Sequence, residues 1–257
     1  MNETLKIINN RRSVRAYTSQ PVTDSEKELI LNAAFRSPTA GGLMLYSVID
    51  IADQGLKDKL ATSCDHQPFI AKAPYVLLFL ADYQRWFDYF NLSNVEPRAK
   101  ELNRPFRHPQ SGDLLLACCD ALIAAQTAVI AAESIGIGSC YIGDILENYE
   151  YHRELFNLPP YTLPITMVCF GHPTESALRR KLTLRLPREG LVHQDKYRRL
   201  DADKLKTVFT DMETQFIAGV HAPEITNAGQ DVFFRKFTAD FAIEMNRSVN
   251  KMLENWR

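Results

Sequence analysis

Hydrophobic spacing along the chain predicts helices and strands in alternation. Residues 4–10 read as a short helix that stops at Arg11 and Arg12. Val14, Ala16 and Thr18 then alternate with Ser13, Arg15 and Tyr17, the period of an extended segment. Thr23 with Glu26 is a capping-box pair, and Leu29, Ile30, Ala33 and Ala34 continue it at helical spacing until Pro38, Gly41 and Gly42 break the pattern. Three continuous apolar runs, 46–52, 75–81 and 163–170, read as central strands covered on both faces. Helical segments lie between them at 54–64, 114–135 and 149–156, with Gly136 and Gly138 ending the second. Beyond residue 173 a basic connection spans 179–199. A tail helix over 234–256 places Phe237, Phe241, Met245, Val249 and Met252 on one face. This order predicts one α+β domain over 1–257, a helix-covered sheet with 179–257 as its extension.

The run from Leu114 to Ile135 is long enough to span a bilayer. Asp120, Gln126 and Glu133 interrupt it, and charge at membrane depth costs several kcal/mol. It therefore reads as a helix buried nearly all round in protein, with part of its cover available from a second subunit. Thirty basic against thirty-one acidic residues leave a net charge of −1, which offers no general attraction to nucleic acid. Five cysteines with no CxxC pair argue against a disulfide scaffold or zinc site and for small buried hydrophobes in a reducing, cytoplasmic setting. The N-terminal residues show no secretory pattern.

Four segments can carry chemistry. Arg11, Ser13 and Arg15 share one side of an extended segment, a row of donors suited to phosphate oxygens, while Arg12 points the other way. Residues 37–47, SPTAGGLMLYS, form a compact loop whose backbone N–H groups can approach a flat or anionic ligand. Residues 136–144, GIGSCYIGD, follow a helix rather than open one, so they are no dinucleotide fingerprint and fit a helix stop and turn. Residues 179–199 concentrate cations. Each also fits a solvated turn or connection. The six histidines lack metal-ligand spacing, Ser111 lies outside a GxSxG elbow, and Asp120 and Glu133 can serve buried partners.

In this order and spacing, RRSVRAYT, SPTAGGLMLYSVI, AAESIGIGSCYIGDI and GHPTESALRRKLTLRLP resemble the FMN-dependent nitroreductase family, nearest its NADPH-dependent, oxygen-insensitive nitroreductase and flavin reductase branch. The resemblance implies a central mixed sheet covered by helices and an intertwined homodimer with a long interface helix and FMN at the subunit interface. It places Arg11, Arg12, Ser13 and Arg15 on the FMN segment, with Arg11 and Ser13 at the phosphate and Arg15 by the pyrimidine edge. Pro38, Thr39 and Ala40 fall on the loop laid against the flavin by the other subunit. Gln67 falls on a position that bonds the ring or ribityl chain, and Tyr141, Ile142, Gly143 and Asp144 on the segment covering one flavin face. Arg185 falls on a late phosphate-binding arginine. Two positions depart. The loop reads GGLM where the family often has GNLQ, and Thr183 stands where it often has lysine.

The implied reaction passes hydride from NADPH or NADH to flavin N5 and on to nitroaromatics, quinones or free flavins in ping-pong order. A fixed cation such as Arg15 stabilises charge near N1 and O2, and no protein acid or base is required. The same fold also fits an FMN-dependent dehydrogenase or dehalogenase, or a non-enzymatic FMN-binding protein.

Overall fold

The computed structural model describes residues 2–256. Four strands, β1 (Tyr46–Asp50), β2 (Tyr75–Asp82), β3 (Gly138–Ile142) and β4 (Thr162–Gly171), form one sheet in the order β1-β2-β4-β3. Its three ladders are antiparallel. A parallel bridge from Ser13 to Ser139 makes the pairing mixed. The helices are α1 (Glu3–Asn10), α2 (Asp24–Phe35), α3 (Gln54–Ser63), α4 (Phe69–Lys72), α5 (Gln84–Leu92), α6 (Val95–Glu101), α7 (Ser111–Ser134), α8 (Tyr149–Leu155), α9 (Glu175–Leu178), α10 (Ala202–Val208), α11 (Thr210–Ile217), α12 (Ala228–Val232) and α13 (Asp240–Asn255).

The two-residue period of β2 assigns its side chains to the two faces of the sheet. Leu77 and Phe79 pack with α2 and with Ala121, Ala124, Ala125 and Ala128 of α7. Val76, Leu78 and Leu80 pack with Leu60 of α3 and Ile70 of α4. The capping box of Thr23 and Glu26 starts α2 as its pattern predicts. Gly136, at φ +80°, follows the end of α7.

Four sequence expectations change. Among the described residues β1 pairs only with β2, so it is an edge strand with a half-covered face rather than a central one. Residues 138–142, read as a turn, form β3. Too short to show a period, the run is held extended by its ladder with β4. The long helix α7 is not buried all round. Leu115, Leu116, Leu122 and Ile123 form an exposed stripe opposite its alanine face. The tail differs too. A π-helical turn occupies Phe233–Phe237, Phe237 is largely exposed, and the helix proper begins at Asp240.

The chain divides into two compact units, residues 1–180 with 244–257, and residues 181–243. The second unit carries α10, α11, α12 and the π turn, and no strand. Within the first, the end of α13 closes the core through Met252 and Trp256, packed with Leu45, Ala117 and Tyr149. It also caps α8: Glu244 Oε1 accepts from Asn148 N at 3.0 Å, and Ser248 Oγ from Tyr149 N at 3.0 Å.

A glycine pair seats the N-terminal segment across one end of the sheet. Gly138 lies opposite Gly171 in the β3–β4 ladder. A Cβ on Gly138 would meet Val14 Cγ2 at 2.6 Å, and one on Gly171 would meet Tyr17 Cδ1 at 2.6 Å. Val14 N donates to Ser139 O at 2.8 Å, and Thr18 N to His172 O at 2.9 Å. Substituting Gly138→Ala should destabilise the protein by about 1–3 kcal/mol, the usual overpacking cost. Adding Val14→Ala should recover most of that loss, a coupling that denaturant unfolding of the four-member cycle will measure.

Candidate functional site

The seat built by Gly138 and Gly171 fixes where the arginine row points. With Ser13 bridged to Ser139, residues 11–15 run along β3. Arg11, Ser13 and Arg15 all act on the thiol of Cys140: burial pushes it up, while Arg15, a hydrogen bond from Ser13 and Arg11 pull it down. Cys140 is buried, so this thiol is a core group beside the row. The Arg15 guanidinium lies 5.8 Å from the ring centre of Phe69. Arg11 also reaches the field of Glu133 at the end of α7, whose carboxyl burial raises.

Arg12, grouped with this row on sequence, serves otherwise. Its guanidinium donates to the carbonyls of Leu178, Arg180 (2.9 Å) and Asn10 (3.3 Å). The alternation of an extended segment sends it to the opposite side, where it ties the first segment to the end of α9.

Gln67 and Asp144 meet directly. Gln67 Nε2 donates to Asp144 Oδ2 at 2.7 Å and to Cys64 O at 3.1 Å. Next to them, Ile142 is buried in the core and Gly143 is exposed, with open space where a Cβ would stand. Tyr141 is half-buried. Its hydroxyl donates to Gln126 Oε1 at 3.2 Å, and burial pushes its pKa up to about 12. Phe69 and Glu147, which adjoin these groups, carry no local sequence signal. Only the packing of distant segments brings them here.

The 38–44 loop is held elsewhere. Asp120 of α7, 2% exposed, accepts from Thr39 Oγ1, from Ala40 N at 3.0 Å and from Leu45 N at 3.0 Å. Thr39 Oγ1 in turn accepts from Met44 N at 2.7 Å. The Thr39 side chain is therefore a loop brace. Gly41 and Gly42 lie at φ +58° and +73°, and Met44, a rare left-handed non-glycine, at +50°. From α5, Trp86 Nε1 donates to Leu43 O at 2.7 Å. Asp120 and Glu133 stand about 20 Å apart along α7, so the loop lies near the middle of this helix and the arginine row near its C-terminal end. A cavity of about 660 Å³ opens beside the loop between Phe35, Tyr46, Val48 and Trp86, and none of the arginine row lines it.

Arg185 belongs to the second unit, where its guanidinium donates to the carbonyls of Thr183 (3.1 Å) and Leu184 (3.0 Å). Among the described residues no cluster of three metal-ligating side chains occurs.

The nitroreductase family model matches residues 8–172, which hold the arginine row, the braced loop and β3. The chain belongs to the nitroreductase family. It is 33% identical over 201 residues to a Salmonella typhimurium protein named oxygen-insensitive NADPH nitroreductase, covering 78% of this chain and 77% of that one. It is 33% identical over 205 residues to FMN reductase [NAD(P)H] of Bacillus subtilis, covering 80% and 78%. The solved structure of NfrA2 from B. megaterium superposes with a TM-score of 0.79 at 26% identity, covering 100% of this chain and 98% of that one.

Among these nitroreductase-family elements the Asp120 clamp is the most exposed to test. Asp120→Ala would leave two backbone N–H groups and a hydroxyl unpaired in a buried site. A loss of about 3 kcal/mol is expected, measured by urea unfolding.

Proposed function

We propose that the protein is an FMN-dependent oxidoreductase that takes reducing equivalents from NAD(P)H and passes them to small planar oxidants such as nitroaromatics, quinones or free flavins. The observation that carries this reading is the row of Arg11, Ser13 and Arg15 along β3, held there by the glycine seat. Two guanidiniums and a hydroxyl on one side suit a phosphate and the electron-rich edge of a ring. The names of the Salmonella and Bacillus relatives support the same chemistry.

These residues fit FMN. Arg11 and Ser13 would hold its phosphate, Arg15 the pyrimidine edge, Gln67 the ring or ribityl chain, and residues 141–144 would lie against one face. When bound, FMN supplies hydride acceptance and return. Arg15 contributes a fixed positive charge beside the ring, which favours the electron-rich reduced state. Phe69 backs that guanidinium, 5.8 Å away, and limits its swing. Donor and acceptor would use one open face in turn, a ping-pong order. NADPH is the proposed donor, its 2′-phosphate answered by the cations of residues 179–199.

A homodimer completes the site. The exposed leucine and isoleucine stripe of α7 is the kind of surface that a second subunit covers. With the loop anchored at Asp120 and the arginine row beside Glu133, a two-fold axis crossing α7 between those two residues would bring the loop of one protomer towards the row of its partner. Pro38, Thr39 and Ala40 would then contribute backbone groups across the interface, and Arg185 a later cation. All five cysteines are free thiols, consistent with a cytoplasmic setting.

Purified protein reconstituted with FMN should bleach on anaerobic titration with NADPH; an unchanged visible spectrum overturns the reading. Arg15→Gln should lower the rate of that bleaching by at least about tenfold. Leu122→Glu should convert the dimer to monomer in light scattering and abolish FMN retention. Equal catalytic efficiency with NADPH and NADH removes the inferred preference.

A further inference from the structure

Glu147 is 5% exposed and lies directly after the turn that carries Asp144. Its Oε1 has no hydrogen-bond partner, and no cation pairs with it among the described residues. The groups facing it are nearly all acidic or neutral. Asp144 comes from its own turn, Asp65 from the end of α3, and Glu244 from α13. The thiol of Cys64 also lies in this cluster. The His152 ring, which bonds to the backbone of Ile145 and Glu147, is held towards its neutral form by burial. Arg247, the nearby cation, is engaged by Glu150 and Glu244. A carboxylate in such surroundings is strongly disfavoured, so the group keeps its proton and offers an O–H donor to Asp144.

Asp144 in turn accepts from Gln67 Nε2 at 2.7 Å, and Cys64 O accepts the second amide hydrogen at 3.1 Å. Both donors of Gln67 are thereby engaged inside the protein. What this side chain offers a ligand is its carbonyl oxygen, an acceptor alone.

We propose that Glu147 is a positioning residue: its protonated carboxyl donates to Asp144, which orients Gln67 with its amide oxygen presented to a donor group of the flavin. This rests on the FMN reading above. Loss of the Glu147 proton would set two carboxylates against each other, free Asp144 to turn away and release the Gln67 amide. Burial and the neighbouring carboxylates raise the Glu147 pKa to about 8, which places that loss in mildly alkaline solution.

Two measurements separate the proposal from the reading beneath it. The first needs no flavin. Below the ordinary carboxyl pKa, folded and unfolded chains both hold the proton. As pH rises above it, the unfolded chain ionises first while the folded one holds its proton to about 8, so stability falls across that window and then levels. Glu147→Gln keeps a neutral donor and lacks this titration. Its melting temperature should exceed that of the wild type by a margin that grows from pH 5 to pH 8.5. A constant margin overturns the proposal. The second measurement is FMN affinity by fluorescence quenching from pH 6.5 to 9. The wild-type dissociation constant should rise about tenfold, the worth of one good hydrogen bond, while that of Glu147→Gln stays flat. FMN binding with identical pH profiles in both proteins overturns the role of Glu147 and leaves the oxidoreductase reading intact. No FMN binding by the wild type at any pH overturns both.

Discussion

Close approach of α7 to the sheet is the constraint on which the remaining architecture hangs. Ala117, Ala121, Ala124, Ala125, Ala128 and Ala132 are fully buried. Side chains of this size let the helix lie near the strands and meet Leu77, Phe79, Val168 and Phe170 without a gap. Two of the candidate segments lie against this rod. Asp120 braces the loop near the middle of the helix, and Glu133 shares the field of Arg11 at its C-terminal end. The outer face, freed from the core, carries exposed leucines.

Three buried or half-buried carboxyls in the first unit illustrate how differently a fold can treat the same group. Asp113 accepts from Arg107, whose guanidinium draws the carboxyl below its ordinary range. Asp120 is held instead by a hydroxyl and two backbone N–H groups, from which it accepts. Glu147 has an oxygen, Oε1, with no such partner, and burial with the neighbouring carboxylates raises its pKa. The first two hold structure in place. The third borders Asp144, which holds the Gln67 amide.

Gly138 and Gly171 act at a different scale. Absence of two side chains lets Val14 and Tyr17 lie on the sheet, and the backbone bond from Val14 to Ser139 locks the register of the arginine row. A one-residue slip would turn Arg11, Ser13 and Arg15 outward and bring Arg12 inward. The hold of Arg12 on the carbonyls of Leu178 and Arg180 opposes that slip from the other side. The side to which the row points depends on alternation fixed by packing.

Much of this was legible in the residues alone. The capping box of α2, the fully buried β2, the extent of α7 and the one-sided row of Arg11, Ser13 and Arg15 are local patterns, written in spacings of two, three and four residues. Local spacing cannot report a partner. So β3 was hidden until β4 lay beside it, β1 could not be known as an edge, and the outer leucines of α7 resembled its core face. Hydrogen bonds between distant residues decided the rest. Arg12 turned to carbonyls 166 and 168 residues away, and Thr39 to an aspartate 81 residues on. Sequence sets the period of each element and the chemistry that it carries; which groups remain free to meet a ligand depends on long-range contacts that only the folded chain brings within bonding distance.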